Sequence, residues 1–319
     1  MEALSKALSK RKQLLLILCA LVLVVGLVAC SKSNTATTSN GDDTTQTAEK
    51  TPVKVGSKDF TENLIVGELY ALALEDHGIP VTRTLNLAGS AIPEAQVKGD
   101  VDLYPQYTGT GLLSILQLPM ETDPQKVYDT VKEQFKEKWN IIWLDMAPAN
   151  DGQGLVVTKE ISDKYGIKTI SDFQAHADKI RFASQGEFDH REDGIPRLEE
   201  IYGPLKFKSS KIYDNALKYE ILKEGKADAA PAYTTEGQLV EPEFVLLEDD
   251  KRAWPPYNLA PVVRGEVLEA YPEIADLLNK IDKDLTTEKV TELNYKVAVG
   301  GEEYEEVAAA YYDSIKANL

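Results

Sequence analysis

Three kinds of residue are scarce in this chain, and each scarcity narrows what the protein can be. Only two of its 319 residues are cysteine, at positions 19 and 30, so the body beyond them has no disulfide framework. Histidine occurs three times, at 77, 176 and 190, in separate segments that spell no metal-ligand cluster. Positive charge is also short: 35 Lys and Arg stand against 52 Asp and Glu, a formal net charge of −17. Nucleic-acid binding needs a basic footprint and is excluded on that balance. Motifs for covalent chemistry are missing too. There is no Gly-x4-Gly-Lys-Ser/Thr phosphate loop, no Gly-x-Ser-x-Gly elbow, no His-Glu-x-x-His and no Cys-x-x-Cys. Carboxylates abound, but in so acidic a chain they read as solvated surface rather than as a catalytic pair. The absences favour a binding protein that is not an enzyme and needs no cofactor and no metal.

The N-terminus reads as an address. Lys6, Lys10, Arg11 and Lys12 precede Leu14–Cys30, 17 residues without a charge. A basic segment followed by an apolar one is the pattern of a secretory signal. Seventeen residues is also the lower edge of a spanning helix, so an uncleaved anchor is the alternative. Leu27-Val28-Ala29-Cys30 resembles the lipobox of bacterial lipoproteins, which decides for cleavage. The resemblance implies that residues 1–29 are a signal peptide and that Cys30 is lipidated, becoming the first residue of the mature chain. Two or more acyl chains make a stable membrane anchor. Cys19 leaves with the signal peptide. So do four basic residues and Glu2, which leaves a mature charge of −20. Residues 31–51 contain seven threonines and no large apolar side chain, too little to order the segment by burial. As a flexible coil it spans roughly 25 Å and forms a linker between the lipid and the body.

From Pro52 onward, short β-rich runs alternate with helical ones, the pattern of an α/β fold. Strands are expected at Pro52–Gly56, Val81–Leu87, Asn140–Leu144, Gly154–Thr158, Ile180–Ala183, Ala227–Ala232 and Glu243–Leu247. Helices are expected at Pro124–Lys138, Asn215–Glu224, Glu273–Lys283 and Glu302–Lys316. A further helix starts after Asp59, with Glu62 completing a capping box, and stops at Gly78. An internal echo is more informative. Gly99-Asp100-Val101-Asp102-Leu103-Tyr104-Pro105-Gln106-Tyr107-Thr108 lies over Gly225-Lys226-Ala227-Asp228-Ala229-Ala230-Pro231-Ala232-Tyr233-Thr234. Gly, Asp, Pro, Tyr and Thr coincide. Read structurally, two similar lobes each end a strand with Asp-x-x-Pro-x-Tyr-Thr. Ligands of open α/β sheets sit beyond the carboxyl ends of strands, so Tyr107 and Tyr233 would point into one shared cleft.

Longer motifs carry a resemblance to a family. Gly56-Ser57-Lys58-Asp59-Phe60-Thr61-Glu62-Asn63, Asp102 to Thr110, Pro231-Ala232-Tyr233-Thr234-Thr235, Leu247 to Asp250 and Pro255-Pro256-Tyr257 occur in order. Together they resemble the substrate-binding proteins of glycine betaine/choline/osmoprotectant ABC importers, from about residue 53 to the C-terminus. The resemblance implies a two-lobed, periplasmic-binding-protein-like (type II) fold with a ligand cleft between lobes. Lobe I would comprise 52–149 plus 258–319 and lobe II 150–257, with hinges near Pro148–Asn150 and Tyr257–Asn258. It implies a ligand with a quaternary ammonium group (glycine betaine, choline, carnitine or similar). Such a cation donates no hydrogen bond and is held by aromatic faces. Tyr107, Tyr233 and Tyr257 match cage positions, and Asp151 adds charge near the cation. Lys58, Thr110 and Arg191 match the groups that meet a carboxylate, where an arginine offers a bidentate fork. The implied partners are an ABC permease and its ATPase, and the chain is expected to be a monomer. Its place would be extracytoplasmic, lipid-anchored to the bacterial cell membrane.

One position departs from the family pattern. A cage tyrosine is common just after the first crossing, where this chain has Gln153. An amide offers a donor and an acceptor instead of a π face. The alternative ligand is therefore a larger betaine such as ergothioneine. The alternatives from other classes are a lipid-anchored enzyme on the same fold, or a sensory or adhesive lipoprotein that has lost ligand binding.

Overall fold

A computed structural model describes residues 51–190 and 192–319. The expected signal peptide (residues 1–29), Cys30, the segment 31–50 and Arg191 lie outside the described residues. Among those described, no helix is long and apolar enough to cross a membrane.

Among the described residues, ten strands form two five-stranded sheets. The first has the order β2-β1-β3-β10-β4, from Val81–Leu87, Val53–Lys58, Leu103–Tyr107, Leu259–Arg264 and Ile141–Trp143. The second has the order β7-β6-β8-β5-β9, from Ser209–Ile212, Arg181–Ser184, Ala229–Tyr233, Gln153–Thr158 and Phe244–Leu246. In each sheet three strands run parallel and the next runs against them. The antiparallel strand is always one that enters from the other sheet: β5 follows the first crossing and β10 the second. The crossings themselves touch, through a bridge between Asn150 and Asn258.

Helices cover both faces of each sheet, so the central strands are apolar on both sides. All five residues of β3 are buried. One face of the first sheet packs against Thr61–Asp76, Glu273–Lys283, Thr287–Ala298 and Tyr304–Ile315. The other face packs against Pro124–Trp139, where Phe135 meets Trp143 edge-on at 5.3 Å. Each fully buried side chain of this size contributes roughly 1.5–3 kcal/mol.

The internal echo is a repeated piece of architecture. Asp102 accepts from the Lys54 amide at 2.9 Å, and Asp228 accepts from the Arg181 amide at 2.8 Å. The amide of each aspartate donates to the carbonyl of that same basic residue, at 2.8 and 2.7 Å. The side chains of Lys54 and Arg181 reach the carbonyls of Gly99 and Gly225 at 2.8 and 2.7 Å. Both glycines have positive φ, 80° and 65°, a turn geometry that a side chain resists. The repeated threonines hold the crossings. Thr108 Oγ1 donates to Pro256 O and accepts from the Asn258 amide, both at 3.0 Å. Thr234 Oγ1 donates to Asn150 O at 2.5 Å and accepts from the Gly152 amide at 2.8 Å.

Several expectations need correction. The helix after β1 is not closed by a capping box: its N-cap is Phe60 and no side chain caps it. Asn63 Oδ1 instead accepts from the Lys58 amide at 2.6 Å, and Glu62 turns inward. The stretch Asn215–Glu224 divides into a 3-10 turn, Asn215–Leu217, and the helix Lys218–Lys223. Asn140 ends a helix in the left-handed region, φ 53°, so β4 starts one residue later than expected. Strands β7 and β10, the helix Thr287–Ala298 and the shorter helices Ile92–Lys98, Lys159–Tyr165, Ile170–Ala175, Ile195–Tyr202 and Gly265–Ala270 were not expected. β7 is exposed at all four positions and shows no alternation. β10 carries Pro261 at its centre, which reads as a breaker; it sits opposite Pro105, and neither proline has an amide to waste.

Candidate functional site

The parallel strands β1, β3, β6 and β8 end at the edge where the two sheets face each other. A cleft of about 540 Å³ lies there. Seven of the eight expected ligand residues line it: Lys58, Tyr107, Thr110, Asp151, Gln153, Tyr233 and Tyr257. Arg191, the eighth, is outside the described residues. The fold explains the convergence. Lys58, Tyr107 and Tyr233 are the last residues of β1, β3 and β8. Gln153 opens β5 directly opposite Tyr233. Asp151 and Tyr257 flank the crossings, and the Asp151 amide donates to Tyr257 O at 3.1 Å.

The three tyrosines have different surroundings. Tyr107 is buried, 3% exposed, and its hydroxyl donates to Glu62 Oε1 at 2.7 Å. The Lys58 ammonium lies 4.7 Å from its ring centroid, so one aromatic face already holds a cation. Phe60 approaches the same ring at 6.0 Å. Tyr233 is the open wall, 39% exposed. Buried Lys218 stands 5.9 Å from its centroid and is ion-paired with Glu236. Tyr257 rests on Gly109, where a β-carbon would come within 2.7 Å of two ring carbons. The Tyr257 amide donates to Asn150 Oδ1 at 2.6 Å, which ties the ring to the other crossing.

Lys58 donates to Gln106 Oε1 at 2.6 Å. Burial lowers its ammonium to about 8, against the pull of Asp151, Glu62 and Asp59. Glu62 is raised by burial, opposed by hydrogen bonds from Thr235, Tyr107 and Asn294. Asp151 is half-buried as a residue, yet its carboxyl is enclosed deeply enough that burial, and then Glu62, push it well above the carboxylate range. Among the described residues, no group of three or more His, Cys, Asp or Glu is placed to hold a metal.

Beside Gln153 and Tyr233 a second recess of about 330 Å³ opens, lined also by Gln185, Asn215, Phe188 and Lys218. Its amides make it a hydrogen-bonding annex to the aromatic cleft. Sequence reasoning missed Phe60, Glu62, Thr235, Glu236, Gln238 and Asn294, all of which line the main cleft. Glu62 and Phe60 had a signal, since a helix starting at a strand's carboxyl end presents its first turn to the ligand edge. Asn294 had none. It arrives from 232 positions beyond Glu62 and bonds both Glu62 Oε2, at 3.2 Å, and Thr235 O, at 2.8 Å.

Residues 51–314 match the family described as the substrate-binding domain of ABC-type glycine betaine transport systems. The chain belongs to that family. It is therefore a substrate-binding protein of an ABC transport system, on a family that transports rather than catalyses. A binding protein of Helicobacter pylori strain G27, named as an ergothioneine transport permease/ergothioneine binding protein, is 34% identical over 79% of this chain. The chain spans 45% of that relative's length. The glycine betaine-binding protein YehZ of Escherichia coli K12 is 30% identical, over 82% of this chain and 89% of YehZ. A crystal structure named as a glycine betaine/carnitine/choline ABC transporter superposes with a TM-score of 0.78 at 28% identity, covering 83% of this chain and 98% of that one. The fold is thus the two-lobed α/β fold of type II periplasmic binding proteins.

Proposed function

We propose that this binding protein captures a quaternary ammonium compound, such as glycine betaine, choline or carnitine, and delivers it to a membrane permease driven by an ATPase. The observation that carries the reading is the convergence of Tyr107, Tyr233, Tyr257 and Asp151 on one cleft between two sheets. Each ring that meets a cation contributes about 0.5–2 kcal/mol. Lobe I, 52–149 plus 258–319, supplies Lys58, Tyr107 and Thr110; lobe II, 150–257, supplies Tyr233 and Gln153. A ligand that touches both lobes binds their closed arrangement best and so stabilises closure. The bridge between Asn150 and Asn258 supports hinges at the two crossings. Arg191 takes the carboxylate of a zwitterionic ligand, together with Lys58 and Thr110. Cys30 carries the lipid that holds the protein outside the cytoplasmic membrane.

A second reading, a larger betaine such as ergothioneine, is favoured by Gln153 and by the amide-lined recess beside it. The ergothioneine-named relative supports it as well. Calorimetry on the full chain in detergent, with glycine betaine, choline, carnitine and ergothioneine, tests both readings. Tight binding of one of the first three favours the main reading, and binding of ergothioneine alone favours the second. No heat and no thermal shift with any of the four would sink the function. Mass spectrometry of the membrane-extracted protein checks the anchor, since an unmodified Cys30 would remove it.

A further inference from the structure

Glu62 and Asp151 reach the cleft from different elements, the helix after β1 and the first crossing. Thr235, just beyond β8, joins them. Its hydroxyl donates to Asp151 Oδ1 at 2.7 Å, and its carbonyl accepts from the Asn294 side-chain amide that also donates to Glu62 Oε2 at 3.2 Å. The Tyr107 hydroxyl donates to Glu62 Oε1 at 2.7 Å. The two carboxyl groups are thus linked through Thr235 and Asn294 within one cleft.

The charges around this pair do not balance. Lys58 is positive while Glu62 and Asp151 are negative when ionised, so the three groups sum to one negative charge. Among the described residues, the remaining charged neighbours do not alter this. Asp59 is exposed to water, Glu236 is ion-paired with Lys218, and burial followed by Glu62 keeps the Tyr107 hydroxyl neutral. Arg191 is outside the described residues. Two carboxyl groups enclosed in protein do not both stay ionised beside a single ammonium unless a further cation joins them. Without ligand that cation is a proton. With ligand it is the quaternary ammonium.

We propose that Glu62 and Asp151 form the counter-charge for the ligand's cation, and that capture of the ligand expels a proton shared between them. The inference rests on the quaternary-ammonium reading and adds to it a second source of selectivity. Tyrosine faces accept apolar groups as well as cations, whereas a carboxylate pair that must lose its proton demands a permanent positive charge. A neutral tert-butyl isostere of choline would fit the same space and leave the proton in place. The upward displacement of both carboxyl groups by burial agrees with a proton being held there.

The experiment is calorimetry on the full chain in detergent, with choline and glycine betaine, in phosphate and in Tris at the same pH. The expected result is a binding heat that differs between buffers by the equivalent of up to about one proton released per ligand. Affinity should fall by about tenfold per pH unit on the acid side. Glu62→Gln should abolish the buffer difference and flatten the pH profile, and 3,3-dimethylbutanol should bind at least tenfold more weakly than choline. Binding with a buffer-independent heat and a flat profile between about pH 5 and 8 would overturn this inference and leave the proposed function standing. Failure of both ligands, and of carnitine and ergothioneine, to bind would overturn the two together. If Glu62→Gln does not fold, the two-buffer comparison on the unaltered protein decides alone.

Discussion

Gly109→Ala places a methyl group against the ring of Tyr257. The new carbon would lie 2.7 Å from Cδ1 and Cε1 of Tyr257 and 2.8 Å from Pro256 O. Ordinary contact needs about 3.5–4.0 Å, so the ring must retreat by roughly 1 Å or the 256–257 backbone must yield. Overpacking of this kind costs about 1–3 kcal/mol. The neighbouring backbone is held by Thr108, which bonds Pro256 O and the Asn258 amide, so the ring is the softer element. Its face would then leave the position proposed for the ligand's cation. A loss of 1–3 kcal/mol in binding corresponds to an affinity weakened about fivefold to 150-fold. Calorimetry with the preferred amine, beside a thermal melt, separates the two places where the penalty can fall. A lowered melting temperature with unchanged affinity would refute the reasoning, because the ring would have moved without consequence for the ligand.

Tyr233→Ala removes the most open aromatic wall and should weaken binding at least tenfold by calorimetry; an unchanged affinity takes it out of the cage. Gln153→Tyr restores a π face opposite Tyr233 and should tighten glycine betaine while weakening a ligand that uses the amide recess; no change in either means another side chain already fills that wall. Asp282 is buried against Tyr70, whose hydroxyl approaches both its oxygens at 2.7 and 2.9 Å, and burial raises it well above its ordinary value. The folded state therefore holds a proton that the unfolded chain releases above about pH 4, and stability falls as pH rises. Asp282→Asn should flatten the slope of melting temperature between about pH 4 and 8, and an identical slope would show that Asp282 is ionised in the fold.

Much of the cleft was legible because it is built twice. The two Asp-x-x-Pro-x-Tyr-Thr segments became the central strands of the two sheets, and both tyrosines ended at the ligand edge. Glu62 was misread because a local rule, the capping box, offered it a sufficient employment. The placement of β3 beside β1 brings it Tyr107, and the packing of the helix Thr287–Ala298 brings it Asn294, rather than its own helix end. Pro261 hid β10 for a similar reason: a proline is a breaker until its position opposite Pro105 is known. Thr235 and Asn294 are ordinary polar residues whose meaning comes from packing between distant segments. No spacing within either segment announces that they meet.

The aspartates that immediately precede the two central strands, Asp102 and Asp228, lie five residues from the tyrosines that end them. At about 3.3 Å per residue, each anchor sits roughly 17 Å from the ring it positions. Asp102 and Asp228 touch the basic residues on the outer rims of their sheets and no part of the cleft. A slight tilt of either strand at its outer rim is carried along a stiff, doubly covered sheet to the aromatic end. Ligand preference in this receptor can thus drift through exchanges at Lys54, Arg181 or Arg264 while every residue lining the cleft stays the same. Two receptors with identical cages need not bind alike.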